Sequence, residues 1–74
     1  MNNQRRKRLK EAIELMERAA TVVEEVRGEE ANALNNLPEN LQSSEKAENM
    51  QEMIDNLDEI YSDMEEKIVE LEEL

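Results

Sequence analysis

The chain contains no cysteine, so no disulfide can staple it, and no histidine, which removes the Glu-x-x-His pairs on which di-iron helical bundles depend. Tryptophan and phenylalanine are also missing and tyrosine occurs once, which leaves no aromatic platform for nucleic-acid bases or proline-rich segments. A single glycine and a single proline provide few breaks in regular structure. Long apolar runs are absent too. The basic residues 5 to 8 are followed at once by Lys10, Glu11 and Glu14, so neither a signal peptide nor a membrane span is expected. A soluble, cytoplasmic protein is expected, with no cofactor and no membrane partner.

What is present is Leu, Ile, Val, Met and Ala among many charges: 38% of the 74 residues are hydrophobic and 39% charged. That is the composition of long helices. The length allows one domain, and one small enough to need help to stay folded.

The second half carries the clearest period. Ala47, Met50, Ile54, Leu57, Tyr61, Met64, Ile68 and Leu71 alternate steps of three and four, the a and d positions of a heptad repeat. Met53, Ile60 and Leu74 stand beside that seam, so the stripe is wider than a two-stranded zipper needs. All twelve acids from Glu45 onward fall on the other faces. Upstream, Leu9, Ile13, Met16, Ala20 and Val23 follow the same repeat, flanked by Ala12, Ala19 and Val26. The pattern then meets Arg27 and Glu30 before resuming at Ala33, Leu34 and Leu37.

Leu37-Pro38 separates two helices, because proline disfavours helical geometry in the residue before it and lacks an amide donor. Ser43 or Ser44 is suited to cap the next helix, with Glu45 in its first turn. The pattern predicts one all-α domain over residues 1–74: a helix at about 3–36, a turn at about 37–43 and a helix at about 44–73. The short connection makes the helices antiparallel neighbours. A register that sets large residues against small places Leu34 beside Ala47, Ala20 beside Tyr61 and Ile13 beside Ile68. It also brings Arg27 near Ile54, Asp55 and Asp58.

Two helices cannot cover stripes this wide, so the hairpin is expected to dimerise into a four-helix bundle with twofold symmetry. Ile13, Met16, Val23, Ile54, Leu57, Tyr61, Met64 and Ile68 form the expected dimer core, and Arg27, Glu30, Asp55 and Asp58 a polar layer within it. Such layers fix register and oligomer state at some cost in stability.

Charge is segregated along the chain. Residues 5 to 10 hold Arg5, Arg6, Lys7, Arg8 and Lys10 with no acid, and the rest holds all twenty acids against four bases, for a net charge of −11. Basic residues at a helix start and acids at a helix end oppose the helix dipole. In a hairpin the two ends meet, so mutual attraction is the first explanation of the basic arm. With this net charge, stable binding to nucleic acid is not expected. The acidic face is either solvated surface or an imitation of a phosphate backbone, with Asp58, Glu59, Glu66 and Glu70 as its contact residues.

Helical nucleotide pyrophosphatases gather carboxylates around magnesium, and Glu30 with Glu29, Asp55 and Asp58 invites the comparison. Those sites need several acids converging inward, whereas the acids of the second helix lie outside the seam. Asp55, Asp58 and Asp63 lack the glycine turn and spacing of an EF-hand.

The residues Glu29-Glu30, Ala33-Leu34 and Asn36-Leu37-Pro38-Glu39-Asn40-Leu41-Gln42 with Ser44, followed by a long acidic helix, resemble a group of small uncharacterised acidic helical-hairpin proteins. These are encoded by bacteriophages, prophages and related bacterial genomes. The likeness spans nearly the whole chain, and its specific part is the turn. Gly28 departs from the acidic residue expected there. The resemblance carries no activity over to any residue. It implies an accessory role in a bacterial host cell, where such proteins bind or redirect a host protein. The expected function is a non-enzymatic, dimeric interaction module with Leu37, Pro38 and Leu41 as partner contacts. The alternatives are an acidic nucleic-acid mimic and, last, a metal-dependent nucleotide hydrolase.

Overall fold

Asn2 starts the first helix. Its side-chain Oδ1 accepts a hydrogen bond from the Arg5 amide at 2.8 Å, satisfying one of the donors that every helix N-terminus leaves free. From there α1 runs over Asn3–Asn35 without interruption. Gly28 does not break it, and its φ is negative. The structure is a computed structural model describing residues 1–74.

The chain leaves α1 where the sequence requires. Asn36 closes the last turn by donating its amide to the Asn32 carbonyl at 3.0 Å, and Pro38 is extended at φ −54° and ψ 147°. A single 3-10 turn, Glu39–Leu41, then reverses direction. Gln42 locks the reversal, because its Nε2 donates to the Leu34 carbonyl at 3.1 Å and the Leu37 carbonyl at 2.8 Å. The Leu34 carbonyl also accepts the Leu37 amide at 3.2 Å, so the side chain reinforces the backbone closure of α1 and holds the carbonyl of Leu37 just beyond it. Ser44 caps the second helix, its hydroxyl accepting from the Ala47 amide at 3.2 Å, and α2 follows over Glu45–Glu72.

The two helices pack side by side along their length as an antiparallel hairpin. The result is a rod of 60 × 14 × 11 Å, and its radius of gyration of 17.2 Å far exceeds the value of about 11 Å for a compact domain of this length. No strand is present, and no helix is long and apolar enough to cross a membrane.

The core is the predicted seam. In α2, Ala47, Ile54 and Ile68 are buried and Met50, Leu57, Tyr61, Met64 and Leu71 are half-buried, while every other residue of that helix is exposed. In α1 only Ala20 is fully buried, with Leu9, Ile13, Met16, Val23 and Leu34 half-covered. Complete burial of a large apolar side chain contributes roughly 1.5–3 kcal/mol, and this hairpin completes it for very few. The exposed surface of 5878 Å² compares with about 4,700 Å² for a compact monomer of this mass. The isolated hairpin therefore leaves roughly 1,100 Å² more open to water than a self-sufficient domain does.

Candidate functional site

Arg27 occupies a core position of the α1 seam, and its partner is Asp58. The guanidinium Nε lies 3.2 Å from Asp58 Oδ1, with the side chains 34% and 55% exposed. Asp58 follows Leu57 at the heptad position bordering the seam, from which a carboxylate reaches the facing helix. Asp55 does not join them. One step beyond Ile54, it points away from α1 and accepts instead from Gln51 Nε2 at 3.0 Å on its own helix. Glu30 is half-buried but forms no ion pair; it lines an open groove of about 450 Å³ with Glu45, Lys46, Asn49, Met50 and Met53. The polar layer thus contracts to the pair Arg27–Asp58, because Asp55 follows an a position and stands at the outer b position of the heptad, whereas Asp58 follows a d position and stands at e, which borders the facing helix.

The eight residues expected as the dimer core are the hairpin's own seam. Ile13, Met16, Val23, Ile54, Leu57, Tyr61, Met64 and Ile68 are buried or half-buried within a single chain, so the helix they meet is their own chain's. Tyr61 shows the register on the same side as Arg27. Its hydroxyl is held above the usual pKa of a tyrosine first by hydrogen bonding with Glu24 of α1, then by partial desolvation and by the negative charges of Glu24 and Glu65. Glu24 opposite Tyr61 and Arg27 opposite Asp58 both lie four residues, about one helical turn, off the register expected from side-chain size, which set Ala20 beside Tyr61 and Arg27 beside Ile54.

The ends lie close, but the basic arm and the terminal acids of α2 form no ion pair; one contact joins them. Arg6 Nη1 donates to the main-chain oxygen of Leu74 at 3.1 Å. Arg5, Arg6, Lys7 and Arg8 are all exposed and none forms a salt bridge. Arg5 and Arg8 border an open groove of about 500 Å³ shared with Met1, Leu9, Ala12 and Leu15. At the other end, Pro38 and Leu41 are exposed and Leu37 is half-buried, presented on the turn that Gln42 braces.

The acids of α2 form an open band. Asp58, Glu59, Glu66 and Glu70 are exposed, and Lys67 offers the one cation paired within that helix, its Nζ 2.8 Å from Glu70 Oε2. That contact holds the Lys67 ammonium above its usual pKa, the hydrogen bond to Glu70 being the largest cause and the charge of Glu70 the next. No group of three or more acidic, histidine or cysteine side chains converges in a way that could hold a metal ion.

A second apolar stripe of α1 lies outside the seam. Leu15, Val22 and Val26 are exposed, Leu15 at 60% and Val22 at 56%. With Ala12 and Ala19 they form a second heptad stripe, stepping three, four, three and four from residue 12 to residue 26. The spacing is legible in the sequence, but the alanines read there as the flank of the first seam. In an antiparallel pair the residues on one flank of both seams share a side, and with Arg27 opposite Asp58 this puts Ile60 of α2 beside the Val26 end of the stripe and Met53 beyond it, exposed at 48% and 53%. No protein-family model, curated protein or solved structure matches the chain.

Proposed function

We propose that this chain is a non-enzymatic interaction module that acts as a homodimer, with its turn engaging one protein of a bacterial host. The observation carrying the reading is the exposed apolar stripe of Leu15, Val22 and Val26, with Ile60 beside its end, on a rod with few buried residues. A contiguous apolar face of this kind marks an interaction surface. The braced turn supports the second part, because Leu37, Pro38 and Leu41 sit on backbone held by Gln42 and need little ordering on binding. The bacteriophage or prophage setting rests on the likeness of the turn segment to that group of proteins.

A second reading is favoured by the acidic band. Asp58, Glu59, Glu66 and Glu70 lie along one continuous helix with few cations nearby, an arrangement that a protein evolved to bind phosphates could accept. Ionic strength separates the two readings. Mimicry rests on screened charge contacts and weakens steeply with salt, while an apolar turn contact does not. Capture of a bacterial protein by the tagged chain should survive high salt and be lost in Leu37→Asp and Leu41→Asp. Capture lost at moderate salt, and indifferent to the turn variants, would overturn the module in favour of mimicry.

A further inference from the structure

We propose that two copies of this chain associate through α1, helix against helix and antiparallel, on the stripe Ala12, Leu15, Ala19, Val22 and Val26. This deepens the homodimer reading above and rests on it; it adds the surface and the direction. The second copy is the occupant because the stripe is complementary to itself when reversed. A twofold axis crossing α1 near Arg18 and Ala19 sets Ala12 of one copy beside Val26 of the other and Leu15 beside Val22, with the small Ala19 residues meeting at the axis.

Charge selects the antiparallel direction. Residues 3–18 of α1 carry six bases against three acids, and residues 19–35 carry four acids against one base. Along the stripe itself, the positions before Ala12 are Arg5 and Arg8 and the position after Val26 is Glu29. Reversal brings Arg8 of each copy to Glu29 of the other; parallel α1 pairing would stack base on base and acid on acid. A parallel arrangement of hairpins that instead laid α1 on α2 of the second copy would meet Asp63 and Lys67 among the apolar residues, since these continue the flank that carries Ile60. Pairing through α2 alone would press together two helices with eleven acids and two bases each.

The hairpin as a whole exposes roughly 1,100 Å² more than a compact monomer of its mass, enough to supply the ~800 Å² that each partner buries in a stable dimer of standard size, and the stripe is one part of that surface. Because Leu15 and Val22 are mostly exposed in the single hairpin, they contribute little to its own seam.

The test combines mass with one distance. Wild type should sediment as a dimer at about 50 µM chain, and Leu15→Glu/Val22→Glu as a helical monomer. Val69→Glu, at an exposed apolar residue off the stripe, should leave the dimer intact. Arg8→Glu and Glu29→Arg should each weaken association roughly three- to tenfold, and the two together should restore it. Rescue is diagnostic even if the Leu15/Val22 variant fails to fold, because residues 8 and 29 are about 30 Å apart along one helix. The chain has no cysteine, so a spin label at Lys7→Cys reports one site per copy. The antiparallel pair puts the two labels about 35 Å apart, and a parallel one under about 20 Å. A dimer that survives Leu15→Glu/Val22→Glu, a lack of rescue, or the short distance overturns this interface and leaves the homodimer reading standing; a wild-type monomer overturns both.

Discussion

Replacing Arg27 with leucine separates what this residue contributes to stability from what it contributes to register. Arg27 is 34% exposed, so about two thirds of a leucine placed there would be buried. Complete burial of leucine stabilises by roughly 1.5–3 kcal/mol, which scales to about 1–2 kcal/mol at this position. Against that stands the ion pair with Asp58, whose partner is 55% exposed. A pair this wet contributes roughly 0.2–1 kcal/mol. The net expectation is a gain of about 1 kcal/mol, or a rise in melting temperature of roughly 4–8 °C for a domain of this size. Circular dichroism melts of Arg27→Leu, Asp58→Ala and the double variant at one fixed concentration give the pair energy by a thermodynamic cycle. Sedimentation velocity on the same samples reads the number of species. The variant should be folded, more stable and less uniquely assembled, because an all-apolar seam allows neighbouring registers. An unchanged single dimer of lower stability would refute the reasoning, showing that Arg27 is held for stability and not for register.

Three further outcomes follow from local geometry. Gly28→Ala should raise stability by about 1 kcal/mol, since a Cβ there meets nothing within 4 Å and the helix is otherwise continuous; thermal melts decide it, and a loss would reveal a hidden contact. Ser44→Ala should cost about 1 kcal/mol by removing the cap on Ala47, measurable as a lower urea midpoint with unchanged slope. Tyr61 ionises later folded than unfolded, so its contribution is whole below the unfolded value near pH 10 and is lost as pH rises through the higher folded value. Lys67, also raised, acts in the same direction. Stability should therefore fall as pH rises above about 10, less so in Tyr61→Phe, and an identical decline in both proteins would remove Glu24 as the cause.

The heptad pattern made most of the fold legible. The α2 seam is legible in eight apolar residues, each of which is buried or half-buried, because in that helix a single stripe is filled by apolar residues at every step. Helix ends were legible from Pro38 and the serines, with α1 and α2 each ending within one residue of expectation. Gln42 was not, because a side chain reaching carbonyls five and eight residues back depends on the path of the turn. Asp55 and Asp58 looked equivalent in composition, and only their angular positions separate the partner of Arg27 from a solvated acid. The stripe through Leu15 and Val22 obeys the same spacing as the seam beside it. Which of two adjacent stripes the chain covers for itself is decided by packing against α2, and that leaves the other exposed.

Sedimentation equilibrium of the wild-type chain across a salt series tests the homodimer most directly. Association through an apolar stripe predicts a mass twice the 8.7 kDa of one chain, persisting at high ionic strength where exposed charge contacts are screened. A folded species of 8.7 kDa at every concentration and salt would contradict it.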